Sequence, residues 1–172
     1  MKIVINAGHC RGKDPGALGK YSQEADVAYH LSGLVEKYLL AANCEVMVIQ
    51  EYNLGDITRA SNEWEADLFV SIHCNAYNKK ARGMETFHYR GSKAGKRLAE
   101  CIQAQLVKRI DTFDRGVKEA GFYVLRNTDC PAALVETAFI DNEEDEQLLL
   151  KHTDCFARAI AVGITDYIST ML

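Results

Sequence analysis

The sequence predicts an α/β domain of three layers: a mostly parallel, twisted sheet of about six strands with helices on both faces. Three observations lead there. Short runs that are apolar at nearly every position, such as Leu68 to Asn75, mark strands buried on both sides of a sheet. Between such runs lie stretches with apolar residues three and four apart, the mark of amphipathic helices. The two kinds alternate along the chain with no linker and no repeat, so residues 1–172 are expected to form one domain.

Lys2 to Ala7 reads as the first strand and runs into Gly8-His9. The loop that follows, Cys10 to Lys20, holds Asp14-Pro15-Gly16. That is turn chemistry, because Pro fixes φ and Gly accepts positive φ. No GxGxxG or GKS/T pattern exists to suggest a phosphate loop. A helix is predicted from Ser22, as N-cap, to about Ala42. Its apolar stripe is Val27, Leu31, Leu34, Val35 and Tyr38. Glu24 falls on that same stripe in the first turn. A carboxylate facing a sheet must be paired or hold a cation, although acids also favour first turns through the helix dipole.

Cys44 to Ile49 is the second strand, and Gly55 to Glu65 a helix with Leu54, Ile57, Ser61 and Trp64 inward. The strand Leu68 to Asn75 ends in His73 and Asn75 rather than in a small residue. Tyr77 to Gly83 is a short polar loop. Met84 to Tyr89 alternates like a half-exposed strand, with His88 expected at the surface or behind the site. Ser92 opens a helix to about Ile110. Asp111 to Gly121 is predicted as a polar connection, Gly121 to Leu125 as a strand and Arg126 to Cys130 as a turn. Ala132 to Ile140 is the last strand. Asn142 caps an acidic helix start, and Asp154 to Ser169 closes the chain.

Hydrophobic residues make up 48% and charged residues 26%, ordinary values for a globular domain. A net charge of -4 excludes a general nucleic-acid binder, which would carry a basic stripe. No apolar run approaches the ~18 residues of a membrane span. Met1-Lys2 leads straight into a strand, so no export signal is expected in the chain itself. The six cysteines show no CxxC spacing and are expected to be reduced. No heptads or large apolar face stand out, and a monomer is expected.

Ligands of open α/β sheets sit outside the carboxyl ends of the strands. His9 and His73 occupy two such ends, and Glu24 faces the sheet from a helix start. Two imidazoles and a carboxylate, with a fourth position left to water, make the ligand set of a catalytic zinc site. Imidazole favours zinc over calcium or magnesium. Zinc brings a water to a pKa of about 7 and polarises a carbonyl. A base is then needed. Glu136 sits in the middle of an otherwise apolar strand, where burial would raise its pKa and suit it to proton transfer.

Several separated segments carry a resemblance. They are Ile3-Val4-Ile5-Asn6-Ala7-Gly8-His9, Asp14-Pro15-Gly16-Ala17, Glu24, Ser71-Ile72-His73-Cys74-Asn75-Ala76, Arg115-Gly116-Val117-Lys118, Phe122-Tyr123-Val124-Leu125-Arg126 and Pro131-Ala132-Ala133-Leu134-Val135-Glu136-Thr137. In that order they resemble the zinc-dependent N-acetylmuramoyl-L-alanine amidases of the type 3 class, over nearly the whole chain. The resemblance implies one zinc ion on His9, Glu24 and His73, with Glu136 catalytic. It implies peptidoglycan as substrate, cut between the lactyl group of N-acetylmuramic acid and L-alanine. The site of action would then be the cell wall or periplasm, as for a phage-type lysin or a trimmed autolysin. Asn75, Arg115 and Arg126 are the candidate substrate contacts.

Two departures stand out. Cys10 and Cys74 follow the histidines where relatives often have Ala or Leu. Strand alternation should point each away from its histidine, so no zinc–sulfur bond is expected. The Tyr77–Gly83 loop is also too short for a helix that blocks the site, as in some divisome amidases, so a constitutively open site is expected. Two rival functions remain. One is a zinc peptidase acting on stem peptides, for which Arg115 or Arg126 can receive a free carboxylate. The other is a wall-binding module with no catalysis, for which Glu136 would be dispensable.

Overall fold

The computed structural model describes residues 1–171. One six-stranded sheet runs in the order β2-β1-β3-β6-β4-β5. Its strands are β1 (Lys2–Ala7), β2 (Glu45–Ile49), β3 (Leu68–Asn75), β4 (Met84–Tyr89), β5 (Asp114–Ala120) and β6 (Ala132–Phe139). β1, β2, β3 and β6 are mutually parallel; β4 runs antiparallel to β6, and β5 parallel to β4. The helices are α1 (Glu24–Ala41), α2 (Leu54–Glu63), α3 (Lys93–Arg109), α4 (Tyr123–Arg126), α5 (Glu143–Lys151) and α6 (Thr153–Ser169). None of them, among the described residues, is long and apolar enough to cross a membrane.

Alternation along the strands sorts the core into two layers. Ile3, Ile5, Val70, Ile72, Ala133 and Val135 pack against α1, α3 and α6 through Leu31, Val35, Leu98, Ile102, Phe156 and Ile160. Val4, Phe69 and Leu134 face the other way and pack on Ile57 of α2 and on Val124 and Leu125 of α4. Leu31 and Phe156 are wholly buried, each contributing about 1.5–3 kcal/mol by leaving water. The second layer is thinner. It stops short of the carboxyl ends of β1, β3 and β6, and a cleft opens there.

The order of strands makes that cleft. From β1 the chain crosses outward to β2, then returns to β3 on β1's other side. The connections that leave β1 and β3 therefore run to opposite sides, and the gap between these two strands is where open α/β sheets bind ligands.

Four sequence expectations need correction. Asp111–Gly121 is not a plain connection, because it contains β5. This strand pairs only with β4 at the sheet edge, and an edge tolerates Asp114, Lys118 and Glu119 where a central strand would not. Gly121–Leu125 is not a strand. Val124 and Leu125 are buried by one helical turn, α4, which folds under the sheet. Four apolar residues in a row fit either form, since so short a run carries no period. Ser22 does not cap α1. The cap is Gln23, with no side-chain bond, while Ser22 Oγ donates to Glu146 at 2.8 Å. His88 is not at the surface: it is 3% exposed, Nδ1 lies on its neighbour's carbonyl at 2.9 Å, and its register partner Ala133 faces α3.

Candidate metal centre

His9 follows β1 with a φ of 59°, a left-handed conformation that a non-glycine residue holds only when its surroundings enforce it. The enforcement is local. Cys10 and Asp14 exchange backbone hydrogen bonds of 3.0 and 2.8 Å. Asp14 Oδ2 lies 2.7 Å from His9 Nδ1, and its Oδ1 accepts from Gly16 N at 3.0 Å. Asp14 therefore fixes the ring and turns Nε2 inward. Sequence reasoning gave Asp14 only a turn role.

Glu24 is 3% exposed, as its place on the apolar stripe predicts. Each of its oxygens meets one backbone amide and one imidazole. Oε1 accepts from Cys74 N at 3.0 Å and lies 2.9 Å from His73 Nδ1. Oε2 accepts from Ala17 N at 2.9 Å and lies 3.1 Å from His9 Nε2. One ligand atom each from His9, Glu24 and His73 falls within 4.8 Å of the others. The imidazole rings meet edge to face at 5.3 Å.

The electrostatics follow from this packing. Burial alone would raise the Glu24 carboxyl, but hydrogen bonds from His73 and His9 outweigh it and hold it well below the usual range. The same bond to Glu24 raises His9 to about 9, against the pull of burial, with Asp14 adding to the rise. The Glu24 carboxylate is thus held by the protonated ring of His9 and by a hydrogen bond with His73.

Two glycines cradle it. A β-carbon on Gly8 would fall 2.5 Å from the His73 ring. One on Gly16, where φ is +66°, would fall 2.5 Å from His9 Cδ2 and 2.6 Å from Glu24 Oε2. The backbone approaches the ligands so closely that no side chain fits between.

Glu136 sits one strand over, in register with His73 on β3 and with Glu85 on β4. The residue is partly exposed, yet its Oε2 is buried and finds no hydrogen-bond partner among the described residues. Burial raises its carboxyl to about 7; His73 opposes the rise, and Glu24 and Glu85 add to it. His9, His73 and Glu136 open together into a cavity of about 540 Å³.

Asn75 and Arg115 converge beside this group, on Glu85. Asn75 Nδ2 donates to Glu85 Oε1 at 2.7 Å, and Arg115 Nε reaches Oε2 at 3.1 Å, where Lys118 also binds. Glu85 is 5% exposed. It was missed in the sequence because alternation in Met84–Tyr89 suggests a wet face. Arg126 goes elsewhere. It ends α4 with its guanidinium 5.9 Å from the Tyr123 ring and lines a separate cavity with Tyr89 and Ser92. Cys74 faces the core, with Sγ 3.5 Å from Thr137 Oγ1, and Cys10 Sγ turns to the Arg11 carbonyl at 3.8 Å. Residues 76–83 join β3 to β4 without a helix.

The sequence and the fold can be set beside known proteins. A family model for N-acetylmuramoyl-L-alanine amidase matches residues 3–166. N-acetylmuramoyl-L-alanine amidase LytC of Bacillus subtilis is 36% identical over 96% of this chain, and the match spans 35% of LytC. The endolysin of Bacillus phage SPP1 is 36% identical over 99% of the chain, spanning 65% of the endolysin. The chain therefore accounts for only about a third to two thirds of these relatives' length. Among solved structures, N-acetylmuramoyl-L-alanine amidase AmiC2 of Nostoc punctiforme superimposes with a TM-score of 0.91 at 31% identity. The overlap covers 98% of this chain and 97% of AmiC2. By the extent of the family match and the identity to these relatives, the chain belongs to the N-acetylmuramoyl-L-alanine amidase family.

Proposed function

We propose that this chain hydrolyses the amide between the lactyl group of N-acetylmuramic acid and L-alanine in peptidoglycan, acting at the cell wall with one zinc ion per chain. The observation that carries this reading is the orphaned carboxylate of Glu136, held above the ordinary range beside three converging ligand atoms.

The residues present fit such an ion. Two imidazoles and one carboxylate suit zinc better than harder cations. The glycine cradle leaves the ligands no room to relax apart, and Asp14 fixes the tautomer of His9. His9, Glu24 and His73 would hold the ion. When bound, zinc supplies Lewis acidity toward the carbonyl and the attacking water.

Glu136 performs the proton transfers. Its carboxylate takes a proton from water as the oxygen adds to the amide carbon. It then delivers that proton to the nitrogen as the C–N bond breaks, leaving a lactyl carboxyl and a free alanine amine. A carboxyl near 7 is matched to both halves of this task at neutral pH. Asn75 and Arg115, anchored through Glu85, are the substrate contacts beside the base.

Digestion of purified sacculi tests this. New free amino groups on L-alanine are expected, lost on chelation and restored by zinc. Release of single amino acids would mean a peptidase instead, and no release from zinc-loaded protein would refute both.

A further inference from the structure

Two connections build a slot against the metal ligands. One leads from β2 into α2 and contributes Glu51, Tyr52 and Leu54. The other leads from β5 into α4 and contributes Phe122 and Tyr123. Tyr52 is 62% exposed, Phe122 41% and Tyr123 40%. Aromatic rings normally hide this much surface, and three of them gathered at the rim of one cavity mark a binding surface.

Phe122 and Tyr123 are held in place. Phe122 meets Phe87 edge to face at 5.2 Å. The Tyr123 hydroxyl leans over the first turn of α2, 3.6 Å from where a β-carbon on Gly55 would sit. The α4 wall is therefore braced on both the sheet and α2.

Charge decides what the slot takes. Among the described residues no Lys or Arg lines it, and beyond His9, His73 and Glu136 its acidic side chains are Glu51 and Asp14. An acidic ligand would be repelled. Arg115 and Lys118, paired on Glu85, lie outside the slot. The scissile amide has one side of each kind. Its amine side is a peptide that carries carboxylates. Its acyl side is a lactyl ether on a hexosamine, a neutral ring with apolar C–H faces and hydroxyl edges.

We infer that the slot between Tyr52 and Phe122–Tyr123 binds the hexosamine ring, stacked on the aromatic faces with Glu51 as acceptor for its polar edge. The inference rests on the amidase reading and adds the direction in which the substrate lies. The sugar points toward α2 and α4, and the peptide points away from them.

Two substrates separate the possibilities: an N-acetylmuramoyl tripeptide, and the same tripeptide acylated by lactate alone. The zinc-loaded chain is expected to show a KM at least tenfold lower for the first. Tyr52→Ala should raise that KM roughly three- to tenfold, leave kcat within twofold, and leave the lactoyl peptide's kinetics unchanged. Such a split means binding lost equally from ground and transition states. Phe122→Leu, which keeps apolar contact with Phe87, should act in the same direction. Equal KM for the two substrates in the unaltered chain would overturn the assignment, as would variants that weaken both substrates in proportion. Cleavage of neither substrate would refute the amidase reading itself, and the slot assignment with it.

Discussion

Replacing Glu136 by Gln should make the protein inactive and, at alkaline pH, more stable. Burial lifts the carboxyl from 4.5 to about 7. A raised folded-state pKa means that the native state binds the proton more tightly than the unfolded chain does, so stability drains away as pH climbs from 4.5 to 7. At 1.36 kcal/mol for each tenfold change, the ionised carboxyl costs about 3 kcal/mol above pH 7. Gln has nearly the same shape and no charge, so the variant escapes that cost. Urea unfolding in chelator, with both proteins metal-free, should show the variant ahead by about 2–3 kcal/mol at pH 8.5. At pH 5 the gap should shrink below about 1 kcal/mol. Zinc-loaded activity on sacculi should fall by about 10²- to 10⁴-fold, with zinc content unchanged. A variant no more stable at pH 8.5 would refute the burial argument. Activity within tenfold of the unaltered chain would refute Glu136 as the base.

Other expectations concern the ion. Asp14→Asn removes the anionic partner of His9 Nδ1 and should weaken zinc binding about 10- to 100-fold, measured by chelator competition, with the circular dichroism spectrum unchanged. Gly16→Ala puts a β-carbon against His9 and Glu24 at a positive φ. It should cost about 1–3 kcal/mol of stability in urea melts and abolish stoichiometric zinc. His9 keeps its proton to about pH 9 in the ion-free protein, and that proton must leave when a metal binds. Apparent zinc affinity should therefore rise with pH between 6.5 and 9 and flatten above. A flat profile, after correction for the competing chelator, would refute the pairing of a raised His9 pKa with a ligand role for that ring.

The sequence alone determined the α/β class, the parallel central strands and the identity of the converging groups. The fold class rested on alternating strand and helix periods, and three of the site groups on local contradictions: His73 ends a buried strand, Glu24 lies on an apolar stripe, and Glu136 interrupts an apolar run. A polar group at a position whose period demands an apolar one is visible without knowing its neighbours, because burying it unpartnered is costly wherever the partner sits.

Tertiary structure alone decided who partners whom. Glu85 stands beside Glu136 only because β4 inserts antiparallel between β6 and β5. Asp14 is legible as a turn residue, but its grip on His9 depends on a left-handed backbone that enters after β1. The exchange of strand for helix between residues 114 and 126 has the same origin. Edge position excuses a polar strand, and one short turn can bury an apolar tetrad. Such outcomes depend on register and strand order, which join residues far apart in sequence, and no pattern within a short window records them.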